Sequence, residues 1–148
     1  MNDNHYQQNL YMKINLTITG CMGRMGQQLI KSSNKNKIFK IVSLTENFKI
    51  NKKINNILPE FNNVNSFKKT NIIIDFTVPK CTLEVLKIAS KLKKRVVIGT
   101  TGFTKSQENL IKKYSKKIPI LKAGNMSLGI NLLLSLIHIS EPTRRIEI

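Results

Sequence analysis

Thr19-Gly20-Cys21-Met22-Gly23-Arg24-Met25-Gly26 is the stretch on which the reading of this chain turns. Before it, Ile14, Leu16 and Ile18 alternate with polar residues as a half-buried strand does. After it, Met22, Met25, Leu29 and Ile30 recur at spacings of three and four, which predicts one apolar helix face. A glycine-rich turn between a strand and a helix can let the backbone approach a phosphate, with the amides and dipole of the first helical turn favouring the anion. The same glycines also suit a turn that needs them only for its own geometry. Spacing alone does not separate the two readings.

Outward from this turn, strand and helix signals alternate. The first strand spans Lys13 to Thr19, although Asn15 and Thr17 interrupt what in a central parallel strand is usually apolar on both faces. A helix follows from Arg24 to Ser33, and Phe39 to Thr45 reads as a second strand ending at Glu46. Lys49 to Phe67, rich in Asn and Lys and containing Pro59, reads as loop with at most one short helix or strand. Ile72-Ile73-Ile74 predicts a buried strand within Asn71 to Thr77, broken by Val78-Pro79. A helix is expected from Cys81 to Lys93, with Leu83, Leu86, Ile88, Ala89 and Leu92 inward. Arg95 to Ile98 is the next strand, and it runs into Gly99-Thr100-Thr101-Gly102. Thr104 and Gln107 form a capping box for a helix carrying Leu110, Ile111 and Tyr114, and Ile118 to Leu121 predicts the last strand.

Composition narrows the class. A chain of 148 residues with 41% hydrophobic content can bury one domain core, and it is too short for the two-domain body of most dinucleotide-dependent enzymes. No apolar run approaches the roughly 20 residues of a membrane span, and the polar start lacks the apolar core of a secretory signal. Cys21 and Cys81 make neither a C-x-x-C pair nor a metal-ligand cluster, which fits a reduced cytoplasmic protein. At a helix N-terminus the Cys21 thiol could become more acidic, or it could simply pack in the turn. The net charge of +17 comes from lysines scattered from Lys13 to Lys122, amid abundant asparagine and few arginines. Nucleic-acid binders usually concentrate cationic residues on one face. The Lys and Asn excess is what an A/T-rich coding sequence produces, so no specific nucleic-acid partner is expected.

Alternation of short apolar strands with helices predicts an α/β fold, a Rossmann-like doubly wound parallel sheet with helices on both faces. In such sheets ligands sit outside the carboxyl ends of the strands. Gly20 to Gly26, Glu46, Phe76-Thr77, Gly99 to Gly102 and Gly124 to Ser127 all fall at those ends. Agreement among five exits points to a dinucleotide site. Glu46, in a chain with only 8 acidic residues, stands where a carboxylate can accept hydrogen bonds from the adenosine ribose.

Gly20-Cys21-Met22-Gly23-Arg24-Met25-Gly26, Ile74-Asp75-Phe76-Thr77, Val97-Ile98-Gly99-Thr100-Thr101-Gly102 and Asn125-Met126-Ser127-Leu128-Gly129-Ile130-Asn131 together resemble 4-hydroxy-tetrahydrodipicolinate (dihydrodipicolinate) reductase, an enzyme of the diaminopimelate route to lysine. The likeness covers about residues 12–133, the nucleotide-binding half of such an enzyme. It implies NADH or NADPH as cofactor, with Gly20, Cys21, Met22, Gly23, Arg24 and Met25 at the pyrophosphate and adjoining ribose and Glu46 at the adenosine ribose. Phe76 and Thr77 belong to the same cofactor set. Gly99, Thr100, Thr101, Gly124, Asn125, Met126 and Ser127 would lie along the nicotinamide end. It further implies hydride transfer to a cyclic dicarboxylate, a soluble homo-oligomer (a tetramer) and no membrane.

Two departures from the family pattern stand out. Asn47 occupies the position that is often Arg in relatives using the phosphorylated cofactor, which modestly favours NADH, although Lys49, Lys52 and Lys53 could reach a phosphate. The His-dense motif followed by Lys that binds substrate and donates a proton in the family's second domain is also not found here. The two histidines are His5 and His138. The expected organisation is a disordered extension over residues 1–11, a dinucleotide-binding domain over residues 12–133 and a tail over residues 134–148. The tail reads like translated adaptor sequence, with the second, catalytic domain missing. No catalytic or metal-ligating residue is assigned, and the chain alone is expected not to turn over substrate.

Overall fold

A computed structural model describes residues 13–123. The extension over residues 1–11, the loop from Gly124 to Ser127 and the tail lie outside the described residues. Among the described residues nine elements follow one another: β1 (Ile14–Thr19), α1 (Arg24–Lys35), β2 (Phe39–Thr45), α2 (Val64–Phe67), β3 (Ile72–Asp75), α3 (Pro79–Leu92), β4 (Arg95–Ile98), α4 (Lys105–Ser115) and β5 (Ile120–Lys122). The five strands form one sheet in the order β2-β1-β3-β4-β5, and every pairing is parallel. Parallel neighbours need crossovers, and α1, α3 and α4 supply them. This is the doubly wound architecture that the alternation predicts.

The pleat sorts the apolar residues to two faces. Leu16 and Ile18 of β1, Leu44 of β2, Ile74 of β3 and Val97 of β4 pack with Leu29 and Ile30 of α1. Ile73, Val96 and Ile98 point the other way and pack with Phe67, Val85, Leu86, Ala89 and Ile111. β3, β4 and β5 therefore contribute to both cores, which is why β3 reads as an unbroken apolar run, whereas β1 and β2 give apolar residues to the first core alone. The polar interruptions in β1 lie on the second face. The Thr17 hydroxyl donates to the Ser66 carbonyl at 3.4 Å, and Thr19 meets a partner described below.

Between β2 and β3 the chain makes only one helical turn, as the loop reading expects. It nonetheless leaves a trace of a further strand. Glu60 pairs in parallel with Thr45, its N–H donating to the Leu44 carbonyl at 3.0 Å and its carbonyl accepting from the Glu46 N–H at 2.9 Å. A single residue thus stands outside β2 where a dinucleotide fold places its third strand.

Several sequence expectations need correction. α3 begins at Pro79 rather than Cys81, because proline is well suited to the first helical position, where its missing N–H has no partner to lose. Its fully buried positions are Thr82, Val85, Leu86 and Ala89, whereas Leu83, Ile88 and Leu92 pack at the margin. Met22 precedes α1 and is exposed, and Leu110 points to solvent while Ile111 carries the α4 contact. The last strand starts at Ile120 rather than Ile118, directly after Pro119.

Candidate functional site

The strand order reverses between β1 and β3, so the loops that leave these two strands diverge and open a crevice. A cleft of about 370 Å³ lies there. Gly20, Met22 and Gly23 line one side, Glu46, Asn47 and Phe48 a second, and Asn62, Phe76, Thr77, Val78 and Cys81 the third.

The glycine turn is built by close approach. Gly20 has φ +67°, and a Cβ on Gly26 would strike the carbonyl oxygen of Gly20 and come within 2.8 Å of the Cys21 Cα. The first turn of α1 can therefore seat directly on the end of β1. Gly23 is the N-cap and contributes no side-chain acceptor, and the first turn carries no acidic residue. The helix thus presents amide donors and the positive end of its dipole without an internal anion. The Gly23 N–H closes the turn onto the Gly20 carbonyl at 3.1 Å, and the Cys21 N–H is tied to the Thr45 carbonyl at 3.2 Å.

Glu46 stands across from this turn. Its Oε2 accepts from the Met22 N–H at 3.0 Å and its Oε1 from the Asn47 N–H at 3.0 Å. The carboxylate is partly exposed at the rim of the cleft, with lone pairs left to accept further hydroxyl donors. Among the described residues no Lys or Arg lines the cleft, so Lys49, Lys52 and Lys53 are not part of its wall.

Of the sequence candidates, Gly20, Met22, Gly23, Glu46, Phe76 and Thr77 share the cleft. Cys21 is buried behind it, and Arg24 is exposed on the first turn of α1 with Met25 partly buried beside it. Gly99 faces Phe76 so closely that a Cβ would overlap the phenyl ring. Thr100 is joined to the cleft by the Thr77 N–H, which donates to its hydroxyl at 3.0 Å, whereas Thr101 is exposed. Gly124, Asn125, Met126 and Ser127 lie outside the described residues. Among the described residues no cluster of three or more His, Cys, Asp or Glu could hold a metal, and no helix is long and apolar enough to cross a membrane.

The idea of an acidic thiol at Cys21 is overturned. Burial pushes it up to about 11, the charge of Glu46 adds to the rise, and a backbone hydrogen bond offsets only part of it. Cys81 is raised as well, mainly by burial, with a hydrogen bond to Thr77 opposing. Both cysteines are free thiols.

Asn47, singled out in the sequence for cofactor preference, is in the wall, and four lining residues escape the sequence reading: Phe48, Asn62, Val78 and Cys81. Phe48 and Val78 are 52% and 57% exposed, apolar surface facing an open cleft rather than a core. The signal for Phe48 is its place two residues after Glu46. Nothing local marks Asn62, which reaches the cleft from the other side of the long loop, its Nδ2 donating to the Cys81 Sγ at 3.3 Å.

Comparison with known proteins places the chain in a family. The family described as "Dihydrodipicolinate reductase, N-terminus" matches residues 14–126. The 4-hydroxy-tetrahydrodipicolinate reductase of Pelagibacter ubique (strain HTCC1062) is 69% identical over 128 residues, covering 86% of this chain and 50% of that protein. The same-named protein of Buchnera aphidicola subsp. Cinara cedri is 38% identical over 133 residues, covering 82% and 49%. Among solved structures, a dipicolinate-bound dihydrodipicolinate reductase from Paenisporosarcina sp. TG-14 superposes with a TM-score of 0.66 at 26% identity, over 84% of this chain and 52% of that one. The chain spans about half the length of the relatives it matches. The sheet, the glycine turn after its first strand and the extent of these matches lead to one conclusion: the chain belongs to the dihydrodipicolinate reductase family, whose N-terminal domain it carries.

Proposed function

We propose that the cleft binds a nicotinamide dinucleotide, and that in its family context the domain presents NADH or NADPH for reduction of a dihydrodipicolinate precursor to tetrahydrodipicolinate. The observation that carries this reading is the convergence of an uncapped helix N-terminus, a glycine turn and a rim carboxylate at the switch point of a parallel sheet. The free amides of α1 suit a pyrophosphate, and Glu46 suits the hydroxyls of the adenosine ribose. Gly20, Cys21, Met22, Gly23, Arg24 and Met25 form the phosphate end. Phe76, Thr77, Gly99, Thr100 and Thr101, together with Gly124 to Ser127, extend toward the nicotinamide. When bound, the nicotinamide supplies the hydride.

The protein's own part is to bind and orient the cofactor and to keep one face of it accessible. A dicarboxylate acceptor is supported by the dipicolinate-bound relative. Neither histidine of the chain lies among the described residues, and the described lining of the cleft holds no Lys, Arg or His to anchor a dicarboxylate or deliver a proton. The 148-residue chain by itself is proposed to hold the dinucleotide without turnover, and to act within a soluble, cytoplasmic homo-oligomeric enzyme.

NADH is the preferred form in this reading. Among the described residues the cleft wall offers Asn47 beside Glu46 and no cation, while the carboxylate would repel a 2′-phosphate. Titrating the purified chain with NADH and NADPH, followed by nicotinamide fluorescence, tests both levels. Saturable NADH binding that exceeds NADPH binding is expected. Tighter NADPH binding would remove the preference, and no binding of either would remove the dinucleotide reading.

A further inference from the structure

Beneath the cleft lies a buried carboxylate that the proposed function does not use. Asp75, the last residue of β3, is fully buried, and its carboxylate accepts from four threonine hydroxyls on four different segments. Oδ1 accepts from Thr19, at the end of β1, at 2.5 Å and from Thr77, in the loop after β3, at 2.8 Å. Oδ2 accepts from Thr82, in the first turns of α3, and from Thr100, in the loop after β4, at 3.2 Å. The last two hydroxyls also touch each other at 2.9 Å. Four donors match the lone pairs of one carboxylate, so the cluster is fully satisfied. Among the described residues no Lys or Arg pairs with Asp75.

We propose that Asp75 is a positioning residue, whose hydroxyl shell fixes the glycine turn and the two loops after β3 and β4 in the relative geometry that dinucleotide binding requires. The inference rests on the dinucleotide reading above. Burying a carboxylate without a counter-charge costs free energy that its hydrogen bonds must offset, so the four hydroxyls are drawn onto Asp75 together. Each hydroxyl it holds is next to, or part of, a segment that faces the cleft or contacts one that does. Thr19 immediately precedes Gly20, Thr77 lines the cleft, and Thr100 receives the Thr77 N–H. Asp75 also accepts the Gly99 N–H on its main-chain carbonyl at 2.8 Å. Directional bonds in a dry site hold such segments to a fraction of an ångström, which apolar contacts do not.

The test uses Thr19 and Thr82, which are buried and do not line the cleft. Valine keeps the shape and deletes the hydroxyl, while serine keeps the hydroxyl and deletes a methyl. In the 148-residue chain, Thr82→Val and Thr19→Val should each weaken NADH binding about tenfold, and Thr82→Ser and Thr19→Ser should stay within about twofold, read by fluorescence titration where circular dichroism shows a folded chain. Folded valine variants that bind NADH as tightly as the unsubstituted chain would overturn the proposal. So would serine variants as weak as the valine ones, since volume rather than hydrogen bonding would then matter. Valine variants that fail to fold while the serine variants fold would assign the hydroxyls to folding and equally overturn it. Absence of NADH binding by the unsubstituted chain would instead strike the dinucleotide reading itself.

Discussion

The carboxylate of Glu46 accepts a hydrogen bond from the backbone N–H of Met22 at 3.0 Å, so the acidic end of β2 and the glycine turn after β1 are held as one unit. A group so placed can serve the ribose and the turn together. Glu46→Ala is expected to weaken NADH binding by about tenfold to a hundredfold, the worth of one or two charge-assisted hydrogen bonds. Glu46→Gln should fall between, because the amide oxygen can still accept from Met22. Fluorescence titration with NADH checks both, and an unchanged affinity in Glu46→Ala would remove the residue from the site.

Asn47→Arg should move the cofactor preference. A guanidinium at the cleft wall can meet a 2′-phosphate with paired hydrogen bonds, which asparagine cannot. The ratio of NADPH to NADH affinity is expected to rise about tenfold, and more at low ionic strength. Parallel titrations at two salt concentrations measure it.

Gly26→Ala tests the seating of α1. The added methyl meets the Gly20 carbonyl oxygen, which is backbone and cannot swing away. A loss of about 2–3 kcal/mol in urea unfolding is expected, although alanine is the better helix former. Neutral or improved stability would show that the turn is looser than described.

Cys21 gives the chain an alkaline sensitivity. Its thiol is raised from 9.0 to about 11 in the folded chain, so folding favours the protonated form. The stabilisation is complete below pH 9 and is lost as pH rises through 11, because the unfolded chain releases its proton first. Unfolding free energy should fall by about 2 kcal/mol between pH 8 and pH 10.5 through this group. Cys21→Ala should show a correspondingly smaller decline in urea titrations at the two pH values, Cys81 supplying a residual slope of the same sign. Equal slopes would refute the assignment.

The strands were legible wherever β-branched residues cluster, as in Phe39 to Thr45, Ile72-Ile73-Ile74 and Arg95 to Ile98, because strand preference and burial there act together. Helix starts were less so. Val78-Pro79 reads in the sequence as a strand breaker, but β3 already ends at Asp75 and Pro79 opens α3. Period alone also misjudged Met22 and Leu110, since a spacing of three or four names a face without saying what covers it.

Local sequence by itself determined the parallel sheet, the glycine turn, the acidic residue after β2 and the strand exits at which the cleft lies. Each follows from neighbours along the chain: short apolar runs, helix periodicity and glycines at a strand-to-helix junction. Tertiary structure decided the rest. Asp75 stands in the sequence as the polar end of an apolar strand. That it meets Thr19 follows from the β1–β3 register, and that it meets Thr82 and Thr100 follows from the packing of α3 and the loop after β4. Asn62 and Cys81 come to one cleft from segments 19 residues apart. Contacts of this kind depend on where whole elements dock, a property of the summed core rather than of any local stretch.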